Sequence, residues 1–267
     1  MTTTFGSIGC GNMGAAILRG IGRREDVQLY GLDLDKDKLE ELAGEIGLIA
    51  KESARELVEE CDYVLIAVKP NQVKALLSDL ASRLRPAQTL ISIAAGVTLR
   101  QLKDYSSGAC PIIRVMPNTP AMVQRGVFAL CLDDPALNEK KSDFVKEIFS
   151  AMGEVHVLGE GLFDAFTAIA GSGPAYVCYF MEALIEAAVS MGFTRDAATN
   201  IVMATFSGST RMAMESDIHL SILREMVCSP KGSTIAAMNS MDSEAVRGKI
   251  IEAVKAAWQR NMELGKE

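Results

Sequence analysis

The chain has 267 residues, 49% of them apolar and 23% charged, and a formal net charge of −7. That length allows one large domain or two ordinary ones around a real core, and the acidic balance argues against nucleic acid or an anionic membrane as the main partner. Six scattered cysteines without a C-x-x-C pair, and only two histidines (His156 and His219, outside any metal-ligand spacing), speak against a disulfide framework or a metal site and fit a reducing cytosol.

Taken in order, the N-terminus Met1-Thr2-Thr3-Thr4 has no charged stretch of the secretory kind, so no signal peptide is expected. An apolar strand over 5–8 runs into Gly9-Cys10-Gly11-Asn12-Met13-Gly14, and a helical pattern follows at once. Strands are predicted at 27–33, 48–50, 62–68, 89–93, 111–115, 128–132 and 155–158. Helices are predicted at 36–43, 53–59, 72–84, 99–105 and 138–152. Such alternation predicts an α/β, doubly wound, Rossmann-type parallel sheet over residues 1–160. Beyond Gly159 the pattern turns all-helical, over 163–169, 174–191, 195–214, 218–226 and 243–264, giving a second domain over 161–267. The apolar region 165–193 carries Gly171, Pro174, Glu182 and Glu186, so it reads as buried helices rather than a membrane span. Methionine-rich, many-sided apolar helices of this kind are expected to bury surface against a second copy, as a homodimer. A cytoplasmic protein is expected.

The G-x-G-x-x-G spacing assigns each glycine a task in a dinucleotide site. Gly9 allows the tight turn, Gly11 lets the diphosphate approach bare backbone, and Gly14 lets helix and strand pack closely, while the helix N-terminus faces the phosphates. The flanking Ile8, Cys10, Asn12 and Met13 belong to the same turn. The plainer alternative is a glycine-rich turn that binds nothing. In an open parallel sheet, ligands lie beyond the carboxyl ends of the strands. Strand 2 ends at Asp33, whose carboxylate would accept from a ribose 2′-hydroxyl and repel a 2′-phosphate, which favours NADH over NADPH. Strand 4 ends in Val68-Lys69-Pro70, a cation on a stiffened loop or a solvated charge. Strand 5 leads to Ala94-Ala95-Gly96, small enough for a flat ring to approach. Strand 6 leads to Met116-Pro117-Asn118-Thr119-Pro120, where Asn118 offers an amide unless the loop is an ordinary proline turn.

Two loops stand out in the helical half. Residues 170–176 form a glycine loop feeding a helix, either for a ligand or for close packing. In Ser229-Pro230-Lys231-Gly232-Ser233-Thr234, backbone N–H groups at Gly232, Ser233 and Thr234, two hydroxyls and a lysine make a receptor for a small carboxylate. Ser229 alternatively serves as a helix N-cap. With no triad, carboxylate pair or metal cluster in view, a nicotinamide enzyme here would work by aligning hydride donor and acceptor. A ketone would need a proton donor, whereas a cyclic imine can arrive already protonated; this leans towards an imine carrying a carboxylate.

At this point the chain resembles the pyrroline-5-carboxylate reductases. The matching motifs are Ile8-Gly-Cys-Gly-Asn-Met-Gly14, Ala67-Val-Lys-Pro70, Ala94-Ala-Gly96, Arg114-Val-Met-Pro-Asn-Thr-Pro120, Gly171-Ser-Gly-Pro-Ala-Tyr176 and Cys228-Ser-Pro-Lys-Gly-Ser-Thr234, in the family's order and along nearly the whole chain. The resemblance implies hydride transfer from NADPH or NADH to C5 of Δ1-pyrroline-5-carboxylate, giving L-proline. It also implies a helical domain that interlocks with its twin, in a dimer that often assembles into a decamer. It places the substrate carboxylate on the backbone of Ser233 and Thr234, the Thr234 hydroxyl at the ring nitrogen, and Glu160 near the site. Three departures stand out: Lys231 where the family mostly has glycine, Met226 for a usual amide, and Asp33 and Asp35 where many members carry residues suited to NADPH. The competing readings are a 3-hydroxyacid-type dehydrogenase of similar build and a non-catalytic nucleotide sensor.

Overall fold

The computed structural model describes residues 2–265. Strand and helix alternate as β1 (Thr3–Ile8), α1 (Asn12–Ile21), β2 (Val27–Leu32), α2 (Lys36–Ile46), β3 (Ile49–Ala50), α3 (Ala54–Glu60), β4 (Tyr63–Ile66), α4 (Pro70–Leu80), β5 (Thr89–Ser92), α5 (Leu99–Tyr105), β6 (Ile112–Met116), β7 (Gly126–Cys131), α6 (Glu139–Ser150) and β8 (Gly153–Val157). Helices follow: α7 (Phe163–Phe166), α8 (Gly173–Ser190), α9 (Arg195–Met214), α10 (Leu220–Met226), α11 (Ser233–Ser243) and α12 (Val246–Leu264). The chain divides into two compact units, one formed by residues up to Ser172 together with those from Trp258, the other by Gly173–Ala257. That division falls later than residue 160 because Phe163 is fully buried in the first unit, against Ala129 and Cys131.

In the first unit one eight-stranded sheet runs in the order β3-β2-β1-β4-β5-β6-β7-β8. β4 is buried along its whole length (Tyr63, Val64, Leu65, Ile66), as a central parallel strand must be when helices cover both faces. Its residues alternate between two cores. Tyr63 and Leu65 join Phe5, Ile17, Leu18, Ile148 and Phe149 beneath α1, α2 and α6, while Val64 and Ile66 join Leu57, Val73, Leu77 and Leu102 beneath α3, α4 and α5. Each such large side chain contributes ~1.5–3 kcal/mol on leaving water. β1, β2, β4, β5 and β6 are parallel, but β7 runs antiparallel to β6, with Arg114 opposite Cys131 and Met116 opposite Ala129. This corrects the expectation of an entirely parallel sheet. A single 3-10 turn, Thr119–Val123, joins Met116 to Gly126, too short a link for a helical crossover. β8 then pairs parallel to β7. The first unit closes with the chain's last turn, where the Asn261 amide donates to the Asp164 carbonyl at 3.1 Å.

In the second unit Gly192 (φ 103°) turns α8 into α9, which Thr194 caps by accepting the Ala197 N–H. Glu186 pairs with Arg195 across that turn at 2.8 Å. The helix expected over 243–264 is found as α12, which begins three residues later, at Val246; Glu244 and Ala245 (φ 52°) separate it from α11. Among the described residues α8, α11 and α12 hold no buried side chain. The stretch Glu160–Ser190, which holds an 18-residue window of mean hydropathy 1.2, is long and apolar enough to cross a membrane by length and composition. A π-helical turn over Thr167–Gly171 and Pro174 interrupt it.

Candidate functional site

β1 delivers its end into the gap between β2 and β4. The Gly9 N–H donates to the Leu32 carbonyl at 2.8 Å, and the Ala67 N–H donates to the Ile8 carbonyl at 2.9 Å. Gly9 has φ 97°, and a Cβ there would lie 2.6 Å from the Ala67 carbonyl oxygen. At Gly14 a Cβ would lie 2.4 Å from the Gly9 oxygen, so these two glycines are fixed by backbone contact alone. Gly11 differs: a Cβ there meets nothing within 4 Å, and the residue lines an open cleft. An approaching diphosphate would fill that space, at the N-terminus of the ten-residue helix α1.

The cleft has a volume of about 920 Å³ at the carboxyl ends of the strands. Ile8, Gly9, Gly11, Asn12, Met13 and Gly14 line its centre. Asp33 lines one side, and Val68, Lys69, Pro70 and Ala95 another. Lys69, Pro70 and Ala95 also border a neighbouring cleft of about 730 Å³, which Gly96 (φ 77°) and Leu264 help line. Lys69 is exposed, and its backbone N–H donates to the Gln72 amide oxygen at 3.1 Å, which anchors the start of α4.

Cys10 lies outside the lining. Burial, reinforced by the Asp33 charge, pushes its thiol up to about 12, so it stays protonated and unreactive. Its contribution is the backbone N–H, which donates to Asp33 Oδ2 at 2.5 Å, while Oδ1 accepts the Asp35 N–H at 3.0 Å. Asp33 therefore braces the glycine turn as well as facing the cleft. Asn118 is likewise outside the lining. Its amide donates to the Ala170 carbonyl at 3.1 Å and its oxygen accepts the Val127 N–H at 2.9 Å, tying the β6–β7 turn to the π-helical turn. Gly171 in that turn packs closely, since a Cβ would lie 3.1 Å from Met116 Cε.

Sequence reasoning passed over Lys38, Glu52 and Ser53, which line the Asp33 side. The Lys38 ammonium, 3.1 Å from Asp35, holds the Asp35 carboxyl below the usual carboxylate range. A helix-capping residue such as Ser53 looks purely local in sequence, yet the strand before it ends at the same sheet edge as β2.

Glu160 lines neither cleft. One of its oxygens pairs with the Arg114 guanidinium and accepts the Leu99 N–H at 3.1 Å; the other is buried without a hydrogen-bond partner among the described residues. Arg114 is 4% exposed and lies 4.6 Å above the Phe163 ring.

The second unit contains the loop before α11. Ser229 accepts the Gly232 N–H through its carbonyl at 3.0 Å, closing a turn with Pro230 second and Lys231 third, at φ 61°. Proline followed by a positive φ is the signature of a type II turn, whose third position normally demands glycine. Two expectations change here. The Gly232 N–H is occupied within the turn, and Gly232 rather than Ser229 is the N-cap of α11. A Cβ at Gly232 would lie 2.2 Å from Ser229 Oγ, so a side chain there would turn that hydroxyl aside. The Ser233 and Thr234 N–H groups open α11 and have no intrahelical carbonyl to bond. Lys231 is exposed and the Thr234 side chain is partly so.

No group of three or more metal-ligating side chains occurs among the described residues. The family pattern described as pyrroline-5-carboxylate reductase dimerisation matches residues 160–264, and that of the NADP oxidoreductase, coenzyme F420-dependent, matches residues 4–96. The pyrroline-5-carboxylate reductase of Escherichia coli (strain K12) is 37% identical over 269 residues, covering 100% of each chain. A pyrroline-5-carboxylate reductase structure from Coxiella burnetii superposes with a TM-score of 0.90 at 32% identity, covering 99% of each chain. That of the Plasmodium falciparum pyrroline carboxylate reductase with NADP bound superposes with 0.89 at 31%, covering 98% of each.

Proposed function

The chain belongs to the pyrroline-5-carboxylate reductase family, and from that premise we propose that it reduces Δ1-pyrroline-5-carboxylate to L-proline, the last step of proline biosynthesis, with NADPH or NADH. The observation that carries this reading is the cleft around Gly9, Gly11 and Gly14, with bare backbone at Gly11 beside the N-terminus of α1. The reduced nicotinamide, when bound, supplies the hydride.

The chain's own residues bind and orient. The backbone from Ile8 to Gly14 cradles the diphosphate, and Asp33 takes the adenosine ribose, biasing the enzyme towards NADH. Val68, Lys69, Pro70, Ala95 and Gly96 border the other end of the dinucleotide. The free Ser233 and Thr234 N–H groups, aided by the exposed Lys231, hold the substrate carboxylate, with Ser229 and Gly232 shaping the turn beneath it. The Thr234 hydroxyl meets the ring nitrogen, the one contact we assign to the reacting atoms. Because the imine can arrive protonated, hydride transfer then needs alignment more than acid catalysis. Glu160 and Asn118 act from behind, as braces.

Residues 161–267 serve substrate binding and self-association in this reading. The chain forms homodimers that assemble further into a decamer, works in the cytoplasm, and uses neither nucleic acid nor membrane as a partner. The exposed apolar surface of α8, Gly173–Ser190, meets a second copy rather than lipid. A 3-hydroxyacid-type dehydrogenase would need a lysine as general acid; the sole lysine between Lys146 and Lys249 is Lys231, on an exposed turn.

Steady-state kinetics with NADPH and NADH on Δ1-pyrroline-5-carboxylate, run beside hydroxyacids with NAD⁺, test the assignment. Turnover of the imine supports it. Turnover of hydroxyacids alone, or binding of nucleotide without oxidation on the imine, rejects it.

A further inference from the structure

Two loops flank the end of the large cleft that lies away from Asp33. One follows β5 and carries Ala94 and Ala95; the other leaves β6 at its last residue, Met116, and continues with Pro117. With the adenosine ribose at Asp33 and the diphosphate at Gly11, this end is left for the nicotinamide. The loops come from separate strands, and the link between them lies behind the cleft. The same Glu160 oxygen that pairs with Arg114, two residues before Met116 on β6, also accepts the Leu99 N–H, the first of α5, immediately after the β5 loop. The clamp is itself held on three sides. The Glu160 N–H donates to Asp133 at 3.1 Å, the guanidinium stacks on buried Phe163, and the Thr98–Gln101 capping box locks the start of α5.

We propose that Arg114 and Glu160 are positioning residues that set the spacing between the β5 and β6 loops and so the fit of the nicotinamide ring. Neither lines the cleft, so their effect passes through Leu99 and Met116. The inference rests on reading the cleft as the dinucleotide site. Charge burial gives it a distinctive signature. Removing Arg114 alone strands the part-buried Glu160 carboxylate, one oxygen of which is already without a partner among the described residues, whereas removing both members leaves a neutral, packable wall. Stability and ring positioning can thus be separated.

The experiment compares binding, by calorimetry, of NADH with ADP-ribose and of NADPH with 2′-phospho-ADP-ribose, ligand pairs differing only in the nicotinamide. Wild type, Arg114→Met, Arg114→Lys and Arg114→Met/Glu160→Met are measured, each with its melting temperature. Arg114→Met is expected to lower the melting temperature and weaken the whole dinucleotide at least fivefold, leaving its ring-less counterpart within twofold. In the double variant the melting temperature recovers while the selective weakening persists, and Arg114→Lys recovers part of the ring's contribution. Equal weakening of both ligands, or recovery of dinucleotide binding together with melting temperature, overturns the proposal. If wild-type protein binds none of the four ligands, the cleft assignment itself falls and takes the clamp's role with it.

Discussion

The two units differ in how far each completes its own interior. In the first, Phe5, Phe128, Phe149 and Phe163 are fully buried, and two continuous cores fill both faces of the sheet. In the second, the buried hydrophobic side chains are Ala198, Val202 and Leu223, while Tyr179 is 70% exposed and Met191 75%. Helix formation is not what separates them, since both have capped, regular helices. The second unit has helices without enough opposing surface, and helices gain most of their stability from packing an apolar face. A self-sufficient nucleotide unit is thus joined to one whose interior is shared, in keeping with a dimerisation family.

Substitutions can sharpen that contrast or break it. The largest effect is expected from Phe128→Ala, whose ring packs at 5.1 Å from Phe149. It should cost ~3–5 kcal/mol of stability by leaving a cavity, with no change in subunit number, as read by denaturant melts and ultracentrifugation. Tyr179→Asp should do the opposite, weakening self-association by ~2–3 kcal/mol while nucleotide binding by isolated subunits persists. An unchanged dimer would remove α8 from the interface. Thr234→Ala should lower kcat/KM by ~1–3 kcal/mol of transition-state stabilisation, with nucleotide affinity unaffected; full activity would take its hydroxyl out of the site. Asp33→Ser should move the NADPH-to-NADH preference about tenfold towards NADPH, roughly 1.4 kcal/mol in relative kcat/KM. An unaltered ratio would leave the carboxylate only its braces on the Cys10 and Asp35 N–H groups. Smallest, Lys231→Gly should stabilise the second unit by ~1 kcal/mol, because lysine is held there in a left-handed conformation. A higher substrate KM in the same variant would assign the lysine's charge to the carboxylate.

Local pattern made much of this legible. The glycine spacing, the Asp33 strand end, the Ser53 cap and the whole of Arg195–Met214 follow from spacing, turn chemistry and periodicity. The reversal of β7 was within reach too, since the link after Met116 is too short for a parallel crossover. Other features had no local signal. Ala245 separates α11 from α12 in a conformation that glycine or asparagine usually marks. Glu160 meets a partner 46 residues earlier and Asn118 one 52 residues later, distances at which no periodicity operates. Polar side chains near a site look alike in sequence whether they face the ligand or hold the wall behind it.

The return of the final turn to the nucleotide unit bears on synthesis. Asn261 bonds the Asp164 carbonyl, and Leu264 stands beside Gly96 at the rim of the second cleft. A nascent chain leaving the ribosome can assemble its sheet early, but these contacts must wait until residues 261–264 have emerged. The rim therefore acquires its shape only once Asn261 and Leu264 have been made, and a variant lacking the last turn of α12 would be without that edge even with every glycine of the N-terminal motif in place.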